Sequence, residues 1–227
     1  MKKINIAIDG PSGVGKSTIS NFISKKYGLK FINTGSFYRA VAYYFYEKYN
    51  KNLELIANEQ FVLDNWKIEY ISLDENGNVL LQNKNVSDKL RMDEISWWAS
   101  YVSKYKIIRK QIVDFLQAYA AKNKGIIMDG RDTTSVVLKD AELKIFLWAS
   151  PEIRAKRRLK QNKELGYSSD YEQLLNEIKK RDFQDMNREH DPLYKTEDSV
   201  LIDSTDLTFE QVTEKVSSLI DERVKDE

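Results

Sequence analysis

Residues 1–18, Met-Lys-Lys-Ile-Asn-Ile-Ala-Ile-Asp-Gly-Pro-Ser-Gly-Val-Gly-Lys-Ser-Thr, decide the fold. Ile4, Ile6, Ala7 and Ile8 read as a buried strand that runs directly into Gly10, Pro11, Ser12, Gly13, Val14, Gly15, Lys16 and Ser17. That octet fits G-x-x-x-x-G-K-[ST] at every fixed position, and from Thr18 onward the apolar spacing turns helical. Glycines let the backbone curl so that successive N–H groups point at phosphate oxygens, and the following helix adds its positive end. In such a loop Lys16 reaches the β- and γ-phosphates and Ser17 holds a magnesium ion. A glycine-rich turn that binds nothing is the bland alternative, but it needs neither the Lys-Ser pair nor so many permissive residues. The loop alone specifies a nucleoside triphosphate. The rest of the chain must specify the reaction.

With 227 residues the chain has the length of one domain with room for a small inserted lobe, and 41% hydrophobic residues suffice for a core. The balance of 36 basic against 35 acidic residues leaves no broad electrostatic footprint for a nucleic-acid polymer or an anionic membrane. Cysteine is absent, which excludes disulfides and thiolate chemistry and suits a reducing cytoplasm. No apolar run approaches the roughly 20 residues of a membrane span, and the start turns polar too soon for a signal peptide. His190 is the only histidine, so a His-based triad or multi-histidine metal site is unavailable. Arginine supplies ten of the 36 basic residues and none precedes Arg39. In a chain that defaults to lysine, the arginines mark positions that need a planar fork to grip phosphate or carboxylate.

Further along, Thr18 to Tyr27 reads as a helix stopped by Gly28, and Phe31-Ile32 as a second strand. A second helix is expected to begin near Ser36 as N-cap. The order strand, loop, helix, strand implies a parallel sheet with right-handed crossovers and ligands at the strands' carboxyl ends. Between about Asn52 and Leu90 the pattern breaks. Trp66 to Leu73 alternates as a strand, Asp74 to Gly77 is a turn, and Val79 to Gln82 returns, giving a hairpin lobe with one wet face. Helices follow at about 93–103 and 106–121, then a strand ending in Asp129-Gly130-Arg131-Asp132. Another strand spans Leu143 to Trp148. Pro151 opens a helix carrying Arg154, Arg157 and Arg158 on one face, and a helix from about Tyr171 to Arg188 aligns Arg181, Asp185 and Arg188. A last strand and a closing amphipathic helix complete the chain. Trp97-Trp98 reads as core or a lobe contact, and His190 as a loop residue.

In these features the chain resembles the bacterial cytidylate kinases within the nucleoside monophosphate kinase group. The resemblance covers residues 3 to 220 and rests on Ile8 to Thr18, Thr34-Gly-Ser-Phe-Tyr-Arg39, Val86-Ser-Asp-Lys-Leu-Arg91, Ser100 to Arg109, Asp129-Gly-Arg-Asp132, Lys180-Arg-Asp182, Asp185, Asn187-Arg188 and Ile202-Asp-Ser-Thr205. It departs at Asn33, where the family usually carries Asp, and at Leu138-Lys139, where a Phe-Pro pair is more usual.

The resemblance implies an α/β fold of the P-loop NTPase type: three layers, a central parallel sheet, a small inserted antiparallel lobe and a helical lid. The core would be about 1–50 and 122–227 with the lid at about 152–190, and the inserted monophosphate-binding lobe about 52–104. It implies phosphoryl transfer from ATP to CMP and dCMP with Mg²⁺ as cofactor, in a monomeric cytoplasmic enzyme that engages neither nucleic-acid polymer nor membrane. Gly10, Pro11, Ser12, Gly13, Val14, Gly15, Lys16, Ser17 and Thr18 would bind ATP. Lys16, Arg39, Arg131, Arg157 and Arg158 would be catalytic, Arg154 joining the last two in the lid. Thr34, Tyr38, Arg39, Ser100, Arg109, Arg131, Asp132, Arg181, Asp185 and Arg188 would bind the acceptor.

Cytosine offers an amino donor with N3 and O2 acceptors; Asp132 can accept from the first, Arg109 can donate to the others and Ser100 can do either. Uracil would set its O4 against the carboxylate. Asp129 can aid Mg²⁺ through water or cap its loop. The rivals are another small-molecule kinase of this fold and a P-loop nucleotide switch, the latter opposed by the absence of an Asn-Lys-x-Asp motif.

Overall fold

The structure is a computed structural model that describes residues 3–164 and 166–225. Met1 and Lys2 of the opening run, and Leu165 within the span expected to form the lid, lie outside the described residues. In chain order the elements are β1 (Ile6–Asp9), α1 (Lys16–Tyr27), β2 (Lys30–Asn33), α2 (Gly35–Lys48), α3 (Leu53–Ala57), α4 (Glu59–Asn65), β3 (Ile71–Leu73), β4 (Val79–Leu81), β5 (Lys84–Asn85), α5 (Asp93–Val102) and α6 (Lys106–Lys122). They continue with β6 (Ile126–Gly130), β7 (Leu143–Trp148), α7 (Pro151–Glu164), α8 (Tyr171–Asn187), β8 (Val200–Asp203) and α9 (Phe209–Lys225). The chain divides into two compact units, one formed by the segments up to Leu29 and from Lys124 onward, the other by Lys30–Asn123.

The first unit is built on parallel strands in the order β6-β1-β7-β8. β1 sits between β6 and β7, with Ile6 opposite Ile127 on one side and Leu143 on the other. All four of its residues are buried, which is why it reads as a continuous apolar run rather than an alternation. Asp9 ends the strand as a fully buried carboxylate that accepts from the backbone N–H of Thr133 (2.9 Å) and Thr134 (2.7 Å) and from the Thr134 hydroxyl (2.7 Å). It thereby caps the single π-helical turn Thr133–Val137 that follows β6.

Gly10 follows at once, where a Cβ would stand 2.1 Å from the Leu147 carbonyl oxygen, so no other residue fits. Gly15 holds the left-handed conformation (φ 99°) from which α1 starts. α1 buries Ile19 and Ile23, α9 buries Val212, Val216 and Ile220, and the Lys26 ammonium donates to the Ser217 hydroxyl at 2.8 Å. As its sequence position suggests, Pro151 opens α7.

The second unit has an aromatic core. α2 buries Phe37, Val41 and Phe45, and its Tyr44 and Tyr46 stand edge-on to Trp66 and Trp98, with centroids 5.5 and 5.2 Å apart. Trp98 is core as expected, whereas Trp97 is exposed. The hairpin forms with Ile71 opposite Leu81 and Leu73 opposite Val79, and Asp74 closes its turn by accepting from the N–H groups of Asn76 and Asn78.

Two expectations are corrected in this unit, and the stretch between α2 and Trp66, for which the sequence pattern named no element, takes shape. The strand read over Trp66 to Leu73 is confined to Ile71–Leu73, because burial of Trp66 against Tyr44 and Tyr70 draws Ile68–Tyr70 into a 3₁₀ turn. Residues 53–65 form two short helices, N-capped by Asn52 and Asn58 through their side-chain oxygens. Ser36 is not an N-cap: α2 begins at Gly35, and the Ser36 hydroxyl donates to Asn33 Oδ1 at 3.0 Å.

Candidate active site

The phosphate loop occupies residues 10–17 between β1 and α1, as the sequence requires. Lys16 begins α1, buried, with its ammonium donating to the carbonyls of Gly10 (2.6 Å) and Pro11 (2.8 Å). Burial, followed by the nearby Arg131 guanidinium, pushes this lysine well below its ordinary range, although Asp129 and Asp9 pull the other way. Ser17 donates its hydroxyl to Asp129 Oδ2 at 2.6 Å, joining the loop to the end of β6. The buried Asp129 thus meets the loop through a hydroxyl. A hydroxyl and a carboxylate oxygen side by side form the donor set of a hard divalent cation that takes one or two protein oxygens and completes its shell with phosphate and water, so the residues fit Mg²⁺.

Beside the loop lies a cavity of about 460 Å³ lined by Gly13, Gly15, Thr18, Arg158, Thr208 and Phe209, among others. The three arginines expected to share a face of α7 divide their work. Arg158 is exposed and lines the cavity. Arg157 also lines it but donates to the carbonyls of Ser204 (2.6 Å) and Leu207 (3.3 Å), holding the 204–207 loop in place. Arg154 is fully buried against the phosphate loop, paired with Asp182 at 2.6 Å.

At the end of β6, Arg131 donates through Nε to Asp185 Oδ2 at 2.7 Å. Burial alone would raise the Asp185 carboxyl, but the Arg131 guanidinium overrides it and holds the group below the usual carboxylate range. Asp132 is buried with Arg188 Nη2 3.6 Å away, and Arg188 Nε donates to the Asp191 carbonyl at 2.7 Å. Arg181 is exposed on α8. The first unit therefore brings together Arg131, Asp132, Asp185 and Arg188, residues from the end of β6 and from α8 with its C-terminal cap.

In the second unit, Arg39 donates through Nη2 to Asn33 Oδ1 (2.7 Å) and the Ser36 hydroxyl (3.0 Å). The amide oxygen of Asn33 makes these contacts without a carboxylate. Thr34 is buried at the head of α2. Arg109 is buried, lies over the Tyr38 ring at 5.5 Å and donates to the Ser103 carbonyl at 3.1 Å. Ser100 back-bonds to the Trp97 carbonyl at 2.6 Å, the habit of a mid-helix serine.

Sequence reasoning assigned no role to Asp9, Asp182, Ser204, Thr208 or Phe209. Asp182 and Ser204 do fall inside two of the quoted motifs, Lys-Arg-Asp and Ile-Asp-Ser-Thr. Thr208 and Phe209 carry no motif signal, because a cavity wall contributed by the start of a distant helix has no spacing to read.

The glycine loop, its lysine, the hydroxyl–carboxylate pair and the adjoining cavity, set on parallel strands, define a P-loop phosphotransferase. A model of the family described as cytidylate kinase matches residues 6–222. The chain belongs to the cytidylate kinase family. A relative named cytidylate kinase from Mesomycoplasma hyopneumoniae (strain 232) is 50% identical over 219 residues, covering 96% of this chain and 94% of the relative. One of the same name from Caldicellulosiruptor saccharolyticus is 50% identical over 221 residues, covering 96% of each. A solved structure of an uncharacterized protein from Eubacterium ventriosum matches with a TM-score of 0.53 at 14% identity, over 97% of this chain and 99% of that one, a likeness of fold.

Proposed function

We propose that this protein transfers the γ-phosphoryl group of ATP to CMP and dCMP, giving ADP and the corresponding diphosphate. The observation that carries the reading is the family match over residues 6–222, at whose head stands a complete phosphate loop with Lys16 and Ser17 in place. Phosphoryl transfer asks for positioning and charge stabilisation more than for covalent chemistry, so a site of lysine, arginines and carboxylates suffices without histidine.

On this reading residues 10–18 take the triphosphate, and Lys16 leaves the Gly10 and Pro11 carbonyls for phosphate oxygens. Ser17, with Asp129 through water, would hold Mg²⁺, which would supply positive charge to offset that of the triphosphate. The base of ATP lies in the cavity beside the loop, and Arg158 meets the phosphates from α7 while Arg157 keeps the 204–207 loop in place. Arg39 and Arg131 grip the acceptor phosphate. Asp132, Arg109 and Ser100 read cytosine, with Tyr38 supporting Arg109. Asp185, Arg188 and Arg181 serve the ribose and its surroundings, and Thr34 the phosphate end. Residues of about 52–104 serve as the acceptor lobe and those of about 152–190 as the lid. No helix among the described residues is long and apolar enough to cross a membrane. We place the enzyme in the cytoplasm as a monomer.

The test is ADP release with ATP and each of CMP, dCMP, UMP and AMP. CMP and dCMP should turn over well ahead of the others; equal or faster turnover of UMP or AMP would remove the base assignment.

A further inference from the structure

Among the described residues Arg154 has the largest fully buried side chain, and each of its three nitrogen groups has a different acceptor. Nε donates to the Ala149 carbonyl at 2.9 Å, Nη1 to the Ser12 carbonyl at 2.8 Å and Nη2 to Asp182 Oδ2 at 2.6 Å. The second oxygen of Asp182 accepts the Ser12 N–H at 3.2 Å. Both backbone polar groups of Ser12 are thus held by one ion pair, formed between α7 and α8. The next residue, Gly13, packs beside the pair: a Cβ there would stand 3.9 Å from Arg154 Cβ, an ordinary contact distance.

Buried ion pairs are poor devices for stability alone, since well-packed apolar residues of the same volume do as well or better. What apolar residues cannot do is hold a carbonyl and an N–H in fixed directions. The segment held here needs such fixing: Gly10, Gly13 and Gly15 make the loop permissive, and a loop that must order itself on binding loses affinity.

We propose that Arg154 and Asp182 are positioning residues for the phosphate donor, clamping the tip of the phosphate loop at Ser12 in the conformation that receives the triphosphate. The clamp also makes ATP affinity depend on the docking of α7 and α8 against the loop. The inference rests on the reading of residues 10–18 as the donor site.

The test compares D182N, R154K and the double variant R154M/D182L, which removes both charges so that neither is left buried alone, with K16M as a control on the donor-site reading. Thermal unfolding checks folding, steady-state kinetics give KM for ATP and for CMP, and calorimetry gives CMP affinity without donor. The proposal expects folded D182N and double variants whose KM for ATP rises about tenfold or more while CMP affinity stays within about twofold. R154K keeps the charge but cannot serve three divergent acceptors, so it should be impaired in the same way. An ATP KM within about twofold of the parent in the folded variants, or an equal loss for both substrates, overturns the proposal. Failure of both D182N and the double variant to fold assigns the pair to stability and overturns it as well. K16M that retained full ATP turnover would instead overturn the donor-site reading itself, whatever the other variants did.

Discussion

At the scale of single residues, Lys16 carries the sharpest consequence. Its folded-state pKa is lowered, by burial first and Arg131 second, so the folded protein gives up this proton more readily than the unfolded chain. Charged Lys16 therefore costs stability below its lowered pKa, and the cost is relieved as pH rises from that pKa towards the ordinary lysine value. On the proposed donor-site reading, binding runs the other way, because a triphosphate would need the ammonium. The value of kcat/KM for ATP should fall with rising pH along a limb that reports Lys16 of the free enzyme, below the ordinary lysine range. K16R, which stays protonated throughout, should lose that limb; a limb unchanged in K16R would assign it to another group.

The lysine was legible because it sits inside a fixed-spacing motif. Asn33 was legible only as a departure, since it takes a three-atom contact with Arg39 and Ser36 to see that an amide oxygen does the accepting. The partner of Arg154 was hidden for the opposite reason. Helical spacing put Arg154 with Arg157 and Arg158, but its partner Asp182 lies 28 residues away and no periodicity links the two.

At the scale of elements, β1, α1, β7, α7 and α8 were all readable, because each is fixed by local signals: a solid apolar run, a glycine stop, a first-turn proline. The 52–70 segment was not, since its two short helices and its 3₁₀ turn are decided by aromatic packing around Trp66 rather than by period. The π-helical turn after β6 was equally hidden, as its cap is Asp9, more than 120 residues earlier.

Two substitutions separate these kinds of support. D9A strips the acceptor from two buried N–H groups and a hydroxyl and should lower unfolding free energy by at least about 2 kcal/mol, with the loss confined to the first unit. W98A opens a hole beside Tyr46 and should cost about 3–5 kcal/mol in the second. Denaturant titration gives the totals, and hydrogen exchange of β6 against α2 amides shows which unit each loss falls on; exchange rising in the wrong unit would refute the assignment.

At the scale of the whole molecule, the sequence announced its fold and its donor loop through motifs of high specificity, while its acceptor chemistry was legible only as a set of scattered polar residues. The residues proposed for cytosine come from distant parts of the chain: Ser100 and Arg109 from α5 and α6, Asp132 from the end of β6. Each has an ordinary structural partner as well, Trp97 for Ser100, Ser103 for Arg109 and Arg188 for Asp132, so geometry within each unit does not by itself single out a base.

Chemistry does. A carboxylate accepts from the cytosine amino group and repels the uracil carbonyl, whereas an amide presents an N–H₂ to that carbonyl. D132N should therefore lower kcat/KM for CMP and raise it for UMP, narrowing the ratio by about tenfold or more, the worth of one buried polar group gaining or losing its partner. Because the change is nearly isosteric, the ATP KM should hold. A ratio that stays put while both acceptors weaken together would move Asp132 from base reading to the support of Arg188, and would shift the discrimination onto Arg109 and Ser100.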